Sequence, residues 1–373
     1  MSKNILVTGG AGFIGSHVVD ELVIRGHDVT IFDNLDEQVH VNGIIPKYLN
    51  KNARFIKGDV RDYESLKKII TNGIEVIFHE AACVGVGQSQ YQIKKYVDVN
   101  IGGTANLLDI LANSNHSVQK LIVAASMSGY GEGLFTCERC GTVKGHLRDE
   151  KKLAAGDWNN YCSQCLGLLK PLATTEDTPL VCNSIYAITK KVQEEMVLNY
   201  GKTYNLPVVA LRYFNVYGPR QSLSNPYTGV AAIFISRIKN NNPPVIYEDG
   251  LQTRDFVSVR DIVQANILAL EKEEANYEVF NVGMQNPLTI LSIAEKLTSL
   301  MKSDLKPHVM CHFRKGDIRH CFADISKIKN KLGYKPTISF EEGMKELVDF
   351  SASESAFDYF EEATAQLKER ALI

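Results

Sequence analysis

Tyr186 and Lys190 stand four positions apart in Ser184-Ile185-Tyr186-Ala187-Ile188-Thr189-Lys190, a stretch that continues helically through Val192, Met196 and Val197. On a helix that spacing puts both side chains on one face. A tyrosine near pKa 10 is a poor base at neutral pH. A neighbouring ammonium and a second positive charge in a dry site can lower it by about three units, worth ~4 kcal/mol in favour of the phenolate. Such a pair is common by chance. It gains meaning from Ser126, which an apolar run, Lys120 to Ala125, delivers to the end of a strand. Ser126, Tyr186 and Lys190 together form a candidate proton-transfer centre.

A second chemical signal lies in the first sixteen residues. The apolar run Ile5 to Val7 meets Thr8-Gly9-Gly10-Ala11-Gly12-Phe13-Ile14-Gly15-Ser16 and then a helical pattern through His17, Val18, Leu22 and Val23. Glycines there permit a tight turn and let a pyrophosphate approach the backbone at the positive end of a helix. A bare glycine motif is weak; strand before and helix after supply its context. Asp33 ends the next strand, His27 to Phe32, about 20 residues on, where a carboxylate accepts from ribose hydroxyls and repels the extra phosphate of NADP. NAD is therefore expected over NADP.

These residues need a scaffold that brings strand ends together. Strands are expected at 54–60, with Asp59 at its C-terminal end, at Val76 to His79 leading into Glu80-Ala81-Ala82, at 120–125, and at Val208 to Tyr213. Small residues at Ala81 and Ala82 allow a dinucleotide to pass close. Helices alternate with the strands, one from Tyr63 to Thr71 and one opened by Asn100 and running through Leu107, Leu108 and Leu111. That alternation predicts a parallel sheet covered on both faces. Residues 34 to 53 read as irregular, over the cofactor edge.

The chain has 373 residues, 45% hydrophobic and 23% charged, with a formal net charge of -2. That suits a soluble globular protein and gives no reason to expect nucleic acid or an anionic membrane as partner. No apolar run spans a bilayer and the N-terminus reads as a strand, so a cytoplasmic protein is expected. Eight cysteines are then not expected to form structural disulfides. Four of them, Cys137, Cys140, Cys162 and Cys165, form two C-x-x-C pairs. Each pair offers two thiolates from a tight turn, and four complete a tetrahedron, so a structural zinc is expected, with free or redox thiols as the alternative. Four thiolates leave no open position for catalysis.

Taken together, the glycine turn, Gly58-Asp59-Val60-Arg61-Asp62, Asn100, Ser126, Tyr186 with Lys190, and Arg212-Tyr213-Phe214-Asn215-Val216-Tyr217-Gly218-Pro219-Arg220 resemble the extended short-chain dehydrogenase/reductase family, in its nucleotide-sugar epimerase and dehydratase group. The resemblance implies an α/β fold: a Rossmann-type doubly wound parallel sheet, a smaller C-terminal substrate domain, and here an inserted four-cysteine, zinc-ribbon-like subdomain. The expected organisation is 1–132 as NAD-binding core, 133–170 as the cysteine insertion, 171–222 as the core continued, and 223–373 mainly for the nucleotide sugar, with 256–282 returning to the core. It implies NAD against Gly9, Gly12, Phe13, Ile14, Gly15, Asp33, Asn34, Asp59, Val60, Ala81, Ala82, Asn100, Tyr186 and Lys190. Ser126, Tyr186 and Lys190 would be catalytic. Ser126, Ser128, Asn215, Arg220, Arg254 and Arg314 would face the sugar diphosphate, for which a guanidinium fork is suited. A second copy of the chain is the other expected partner, as a homodimer.

Which reaction follows from a departure. Related 4,6-dehydratases carry an Asp-Glu pair directly after the serine, and related decarboxylases usually have an acid at the second of these positions. Here the two positions are Met127 and Ser128. The expectation is C4 epimerisation with Tyr186 as base and retained NAD. Dehydration, decarboxylation or dehydrogenation within the family, or a non-catalytic NAD-binding regulator, are the alternatives. The cysteine insertion, with Gly85-Val86-Gly87-Gln88-Ser89 and Ser224-Asn225-Pro226-Tyr227-Thr228-Gly229, more narrowly resembles a bacterial subgroup labelled dTDP-L-rhamnose 4-epimerase; UDP-glucose 4-epimerases are similar too. Cys321 matches a residue that limits pocket size in related epimerases, implying room for a bulkier sugar. The tail from Ser351 to Ile373 reads as an exposed amphipathic helix with Phe357, Phe360 and Leu367 on one side.

Overall fold

The computed structural model describes residues 2–373. Seven parallel strands make the main sheet: β1 (Asn4–Thr8), β2 (Asp28–Asp33), β3 (Arg54–Lys57), β4 (Val76–His79), β5 (Lys120–Ser126), and then β9 (Val208–Tyr213) and β13 (Glu278–Val282). Their order is β13-β9-β5-β4-β1-β2-β3. The direction in which the chain steps across the sheet reverses between β1 and β4. At such a switch point the connecting turns diverge and leave a crevice for a ligand. Central strands β1 and β5 are almost continuously buried because helices cover both faces. One face packs Ile5, Val7, Val18, Ile122 and Ile262; the other packs Leu6, Ile77, Leu107, Leu121 and Val197.

The remaining strands build two smaller units. In the first, β6 (Leu134–Cys137), β7 (Gly141–Lys144) and β8 (Leu169–Leu172) form an antiparallel sheet in the order β7-β6-β8. In the second, β10 (Asn215–Tyr217), β12 (Thr253–Ser258), β14 (Pro287–Thr289) and β16 (His320–Cys321) join around β12, while β11 (Val245–Ile246) pairs with β15 (His308–Val309). This second unit has its own apolar core with Tyr217, Phe234, Phe256, Ile293 and Leu347. No helix among the described residues is long and apolar enough to cross a membrane.

Three expectations are corrected by the chain path. Asn100 does not open a helix. Helical winding starts at Ile93 and passes through a wide π-type segment, Val97–Gly102, before the helix Gly103–Asn113. Inserting such a turn rotates side chains relative to the regular 3.6-residue register, which local spacing alone does not reveal. The strand at 54 ends at Lys57, so Asp59 lies in the turn beyond it. The tail is two elements: the helix Phe340–Ser353, a break, and the helix Phe360–Glu369. Phe357 lies in the break and is exposed.

Candidate active site

The C-terminal edge of the main sheet opens into a cleft of ≈ 630 Å³. Its back wall is the glycine turn. Gly9 has φ +69°, and a Cβ there would stand 2.7 Å from the Ala81 nitrogen, so the turns after β1 and β4 touch backbone to backbone. Gly15 is tighter still: a Cβ would stand 2.3 Å from the Gly9 carbonyl oxygen. Gly12, Phe13 and Ile14 line the cleft beside them, as do Val60, Ala81 and Ala82. Asp33, also lining the cleft, accepts from the Ala11 N–H at 3.0 Å and the Leu35 N–H at 2.8 Å. Its carboxylate is thereby fixed at the end of β2. Asn34 donates to Asp59 Oδ2 at 2.9 Å, and hydrogen bonds from the Arg61 side chain hold the Asp59 carboxyl down to about 2. A cradle free of Cβ atoms, a helix N-terminus and a fixed acid at the second strand fit a dinucleotide.

Ser126, Tyr186 and Lys190 converge at the other end of this wall. Tyr186 sits in the first turn of the helix Ile185–Tyr204, which Ser184 caps through its Oγ and the Ala187 N–H. The Tyr186 N–H is pinned to Ser89 Oγ at 3.0 Å, and its ring meets Tyr96 edge-on at 6.4 Å. Ser126 lines the cleft with Tyr186, and its Oγ lies 2.9 Å from Ser128 Oγ. Lys190 Nζ donates to the Ala124 carbonyl and to Gln193 Oε1, both at 2.8 Å. Burial pushes the Lys190 ammonium down to about 8.

The expected lowering of the tyrosine is not produced by the chain's own groups. Burial pushes Tyr186 up, with the Ser126 hydrogen bond pulling the other way. The lysine is tied to Ala124 and Gln193, and desolvation of a phenolate outweighs one neutral hydrogen bond.

Asn100 and Arg220 are also placed differently from expectation. Asn100 is fully buried. Its Oδ1 accepts from the Cys83 N–H, and its Nδ2 donates to the Cys83 carbonyl and to Thr189 Oγ1. It staples the turn after Ala82 to the Tyr186 helix, away from the cleft surface. Arg220 pairs with Asp20 at 2.6 Å, covers the Tyr48 ring at 5.0 Å and is not among the residues lining the cleft. A positive φ of 69° at Arg220 turns the chain here. Asn215, Arg254 and Arg314 do line the cleft. Asn215 Oδ1 is buried without a partner among the described residues. Arg254 donates to the carbonyls of Thr253, Ile318 and Arg319. Arg314 pairs with Asp317 at 2.8 Å over the Tyr247 ring. Cys321 is buried on β16 beneath Thr174, 3.9 Å from its Oγ1. Its short side chain is not among those that line the cleft.

Several residues at this site carry no sequence signal of their own. From Lys190, hydrogen bonds continue through Gln193, Thr104 and His79 to Thr8 on β1. Gln193 could have been found, three positions after Lys190 on the same helix face; Thr104 and His79 could not. Glu80 lines the cleft and accepts from the Tyr213 hydroxyl at 2.9 Å. Burial pushes its carboxyl up to about 7. The C-terminal helix roofs the opposite side, with Phe360, Ala363, Thr364 and Leu367 facing the cleft. Gln366 there accepts from the Tyr91 and Tyr227 hydroxyls.

The four cysteines of the two pairs meet in the insertion. Their Sγ atoms all lie within 4.8 Å of one another. The local core is Phe135, Leu169 and the buried thiols of Cys137 and Cys162. Backbone N–H groups of Arg139 and Cys140 pull the Cys137 thiol down to about 7. A soft tetrahedral donor set with almost no apolar core around it fits a metal that does the work of a core.

A doubly wound sheet, a glycine cradle at its switch point and a Ser-Tyr-Lys group at the same edge define a Rossmann-type protein of the short-chain dehydrogenase/reductase class. Residues 5–149 match the NAD dependent epimerase/dehydratase family, and residues 162–347 match the GDP-mannose 4,6 dehydratase family. The chain is 34% identical to dTDP-L-rhamnose 4-epimerase of Burkholderia thailandensis, over 94% of this chain and 96% of that protein. It is 32% identical to UDP-N-acetyl-alpha-D-glucosaminuronate decarboxylase of Bacillus cytotoxicus, over 94% and 98%. Among solved structures, UDP-glucuronic acid 4-epimerase of Bacillus cereus, in complex with UDP-glucuronic acid and NAD, superposes with a TM-score of 0.75 at 29% identity, over 93% and 98%. The chain belongs to the NAD-dependent epimerase/dehydratase family of extended short-chain dehydrogenases/reductases.

Proposed function

We propose that this chain epimerises a nucleoside-diphosphate sugar at C4 through a transient 4-keto sugar, with NAD retained throughout. The observation that carries the reading is the company Ser126 keeps: the strand end that presents it continues into Met127 and Ser128, without the acid that would protonate a leaving hydroxyl. Tyr186 takes the proton of the sugar 4-hydroxyl, and Ser126 hydrogen-bonds the same oxygen. Lys190 holds the cofactor ribose and its charge stabilises the phenolate. NAD held by the glycine turn and Asp33 would supply the hydride acceptor, and then the donor, for C4. Ser128 and Asn215 meet the sugar, and Arg254 and Arg314 grip the diphosphate while the ring turns over. In this reading 1–132, 171–222 and 256–282 carry the cofactor, most of 223–373 carries the sugar nucleotide, and two copies form a dimer.

The test is an NMR time course with UDP-, dTDP- and GDP-hexoses and no added NAD. Appearance of the C4 epimer, without net reduced cofactor, is the expected result. A requirement for stoichiometric NAD would select a dehydrogenase; release of water or carbon dioxide would select a dehydratase or a decarboxylase like the Bacillus cytotoxicus relative. Unchanged sugar throughout would leave a binding role.

Zinc at Cys137, Cys140, Cys162 and Cys165 is the second part of the reading. Elemental analysis is expected to find about one zinc per chain. Cys162→Ser is expected to lose it and to lower the melting temperature of the insertion. A metal-free protein with all four thiols freely reactive would contradict this.

A further inference from the structure

A buried charge network joins the cysteine insertion to the cleft. Arg148 is carried by the insertion, ahead of the short helix Glu150–Ala154. Only 3% of its side chain is exposed, although nothing about a surface module requires a buried guanidinium. Its two terminal nitrogens grip Glu248 bidentately, at 2.8 Å each, and its Nε lies 3.3 Å from Glu132. It also donates to the Asp317 carbonyl at 3.0 Å.

Each of those partners bears on the segment 314–320. Glu248 lines the cleft, has φ +56° and pairs with Arg319 at 3.0 Å. Glu132 accepts from the Arg319 and His320 N–H groups. Asp317 holds Arg314 through its carboxylate. Arg254 in turn rests on the carbonyls of Ile318 and Arg319. The insertion is tied to the same segment by backbone: the Gly133 N–H donates to the His320 carbonyl at 2.8 Å. Hence this strap carries Arg314 and supports the Arg254 side chain, which reaches it from β12, and Arg148 is the cation that clamps the strap from behind. A bidentate fork is a directional clamp, which a lysine ammonium does not reproduce.

We propose that Arg148 is a positioning residue for the diphosphate end of the cleft, so that the cysteine insertion sets affinity for the nucleotide half of the substrate without touching it. This rests on the reading that Arg254 and Arg314 grip the diphosphate. It assigns the insertion a part in binding rather than in hydride or proton transfer.

The experiment is calorimetric titration of the NAD-loaded protein with UDP, dTDP and GDP. In the parent, at least one of the three binds. Arg148→Met is expected to weaken that binding at least tenfold, while bound NAD stays at the parent level. Arg148→Lys is expected to fall between the two. With a sugar nucleotide that the parent turns over, KM is expected to rise in step, with kcat changed less than threefold. Arg254→Ala and Arg314→Ala test the underlying reading separately. If neither weakens nucleoside-diphosphate binding, or if the parent binds none of the three, the diphosphate reading itself fails. If they weaken it and Arg148→Met does not, the positioning role is overturned, as it is if Arg148→Met only lowers the melting temperature. Should Arg148→Met not fold, Arg148→Lys decides, because it keeps a charge in the network: unchanged affinity in that variant overturns the proposal.

Discussion

Tyr186→Phe is expected to reduce turnover by about a thousandfold, in the middle of the range for a lost general base, while NAD stays bound. The substitution keeps the ring that packs edge-on against Tyr96 and the backbone hydrogen bond to Ser89. Lys190 keeps its own anchors on Ala124 and Gln193, so its charge remains where it was. What is lost is one hydroxyl in the cleft that Ser126 also lines. Two other ring groups at this strand edge are already committed. His79 is buried between Thr8 and Thr104, with desolvation holding it down to about 3, and Tyr213 is hydrogen-bonded to Glu80 and Asn266. Initial rates by NMR, with the cofactor content read from absorbance, check this. A variant retaining more than a tenth of the parent rate would move the base elsewhere, with Glu80 the first residue to examine.

Gly15→Ala is expected to empty the protein of dinucleotide. The added methyl would stand 2.3 Å from the Gly9 oxygen and 2.9 Å from the Gly10 Cα, both backbone atoms that no rotamer change can move. Relief requires the helix Phe13–Ile24 to back away from the turn, which takes its N-terminus off the pyrophosphate position. Overpacking of this kind costs about 1–3 kcal/mol of stability, so the sheet is expected to survive. Purified Gly15→Ala should show the parent far-UV circular dichroism, a lowered melting temperature and no bound NAD. Full cofactor occupancy in this variant would mean that the cradle lies elsewhere along the strand ends. Gly9 is a harsher site still, since its Cβ would collide with Ala81 backbone and its φ is positive.

What could be read in the amino-acid order was what is decided locally. The glycine turn, Asp33 at a strand end, Ser126 at another and the Tyr186–Lys190 face each depend on a few neighbouring residues, and the structure brings all of them to one cleft. The cysteine pairs were legible for the same reason, and their sulfurs do meet. Long-range partners were not. Arg220 has the spacing of a cleft residue, yet Asp20 and Tyr48 claim it. Asn100 has the look of a helix start, but a π-type segment turns it toward Cys83 and Thr189. The final helix was legible as amphipathic; that its apolar side roofs the cleft depends on contacts with Tyr91, Tyr227 and Arg237, far away in the chain. Glu80 was visible only as a residue between a strand and two alanines, and its raised carboxyl follows from burial that no local pattern encodes.

The central claim is that hydride leaves C4 and returns to it without leaving the protein. A sugar nucleotide carrying deuterium at C4 tests that directly. The expected result is the C4 epimer with deuterium still at C4, formed without added NAD, in ordinary water. Hydrogen in place of deuterium at C4, or deuterium recovered in free reduced cofactor, would contradict it.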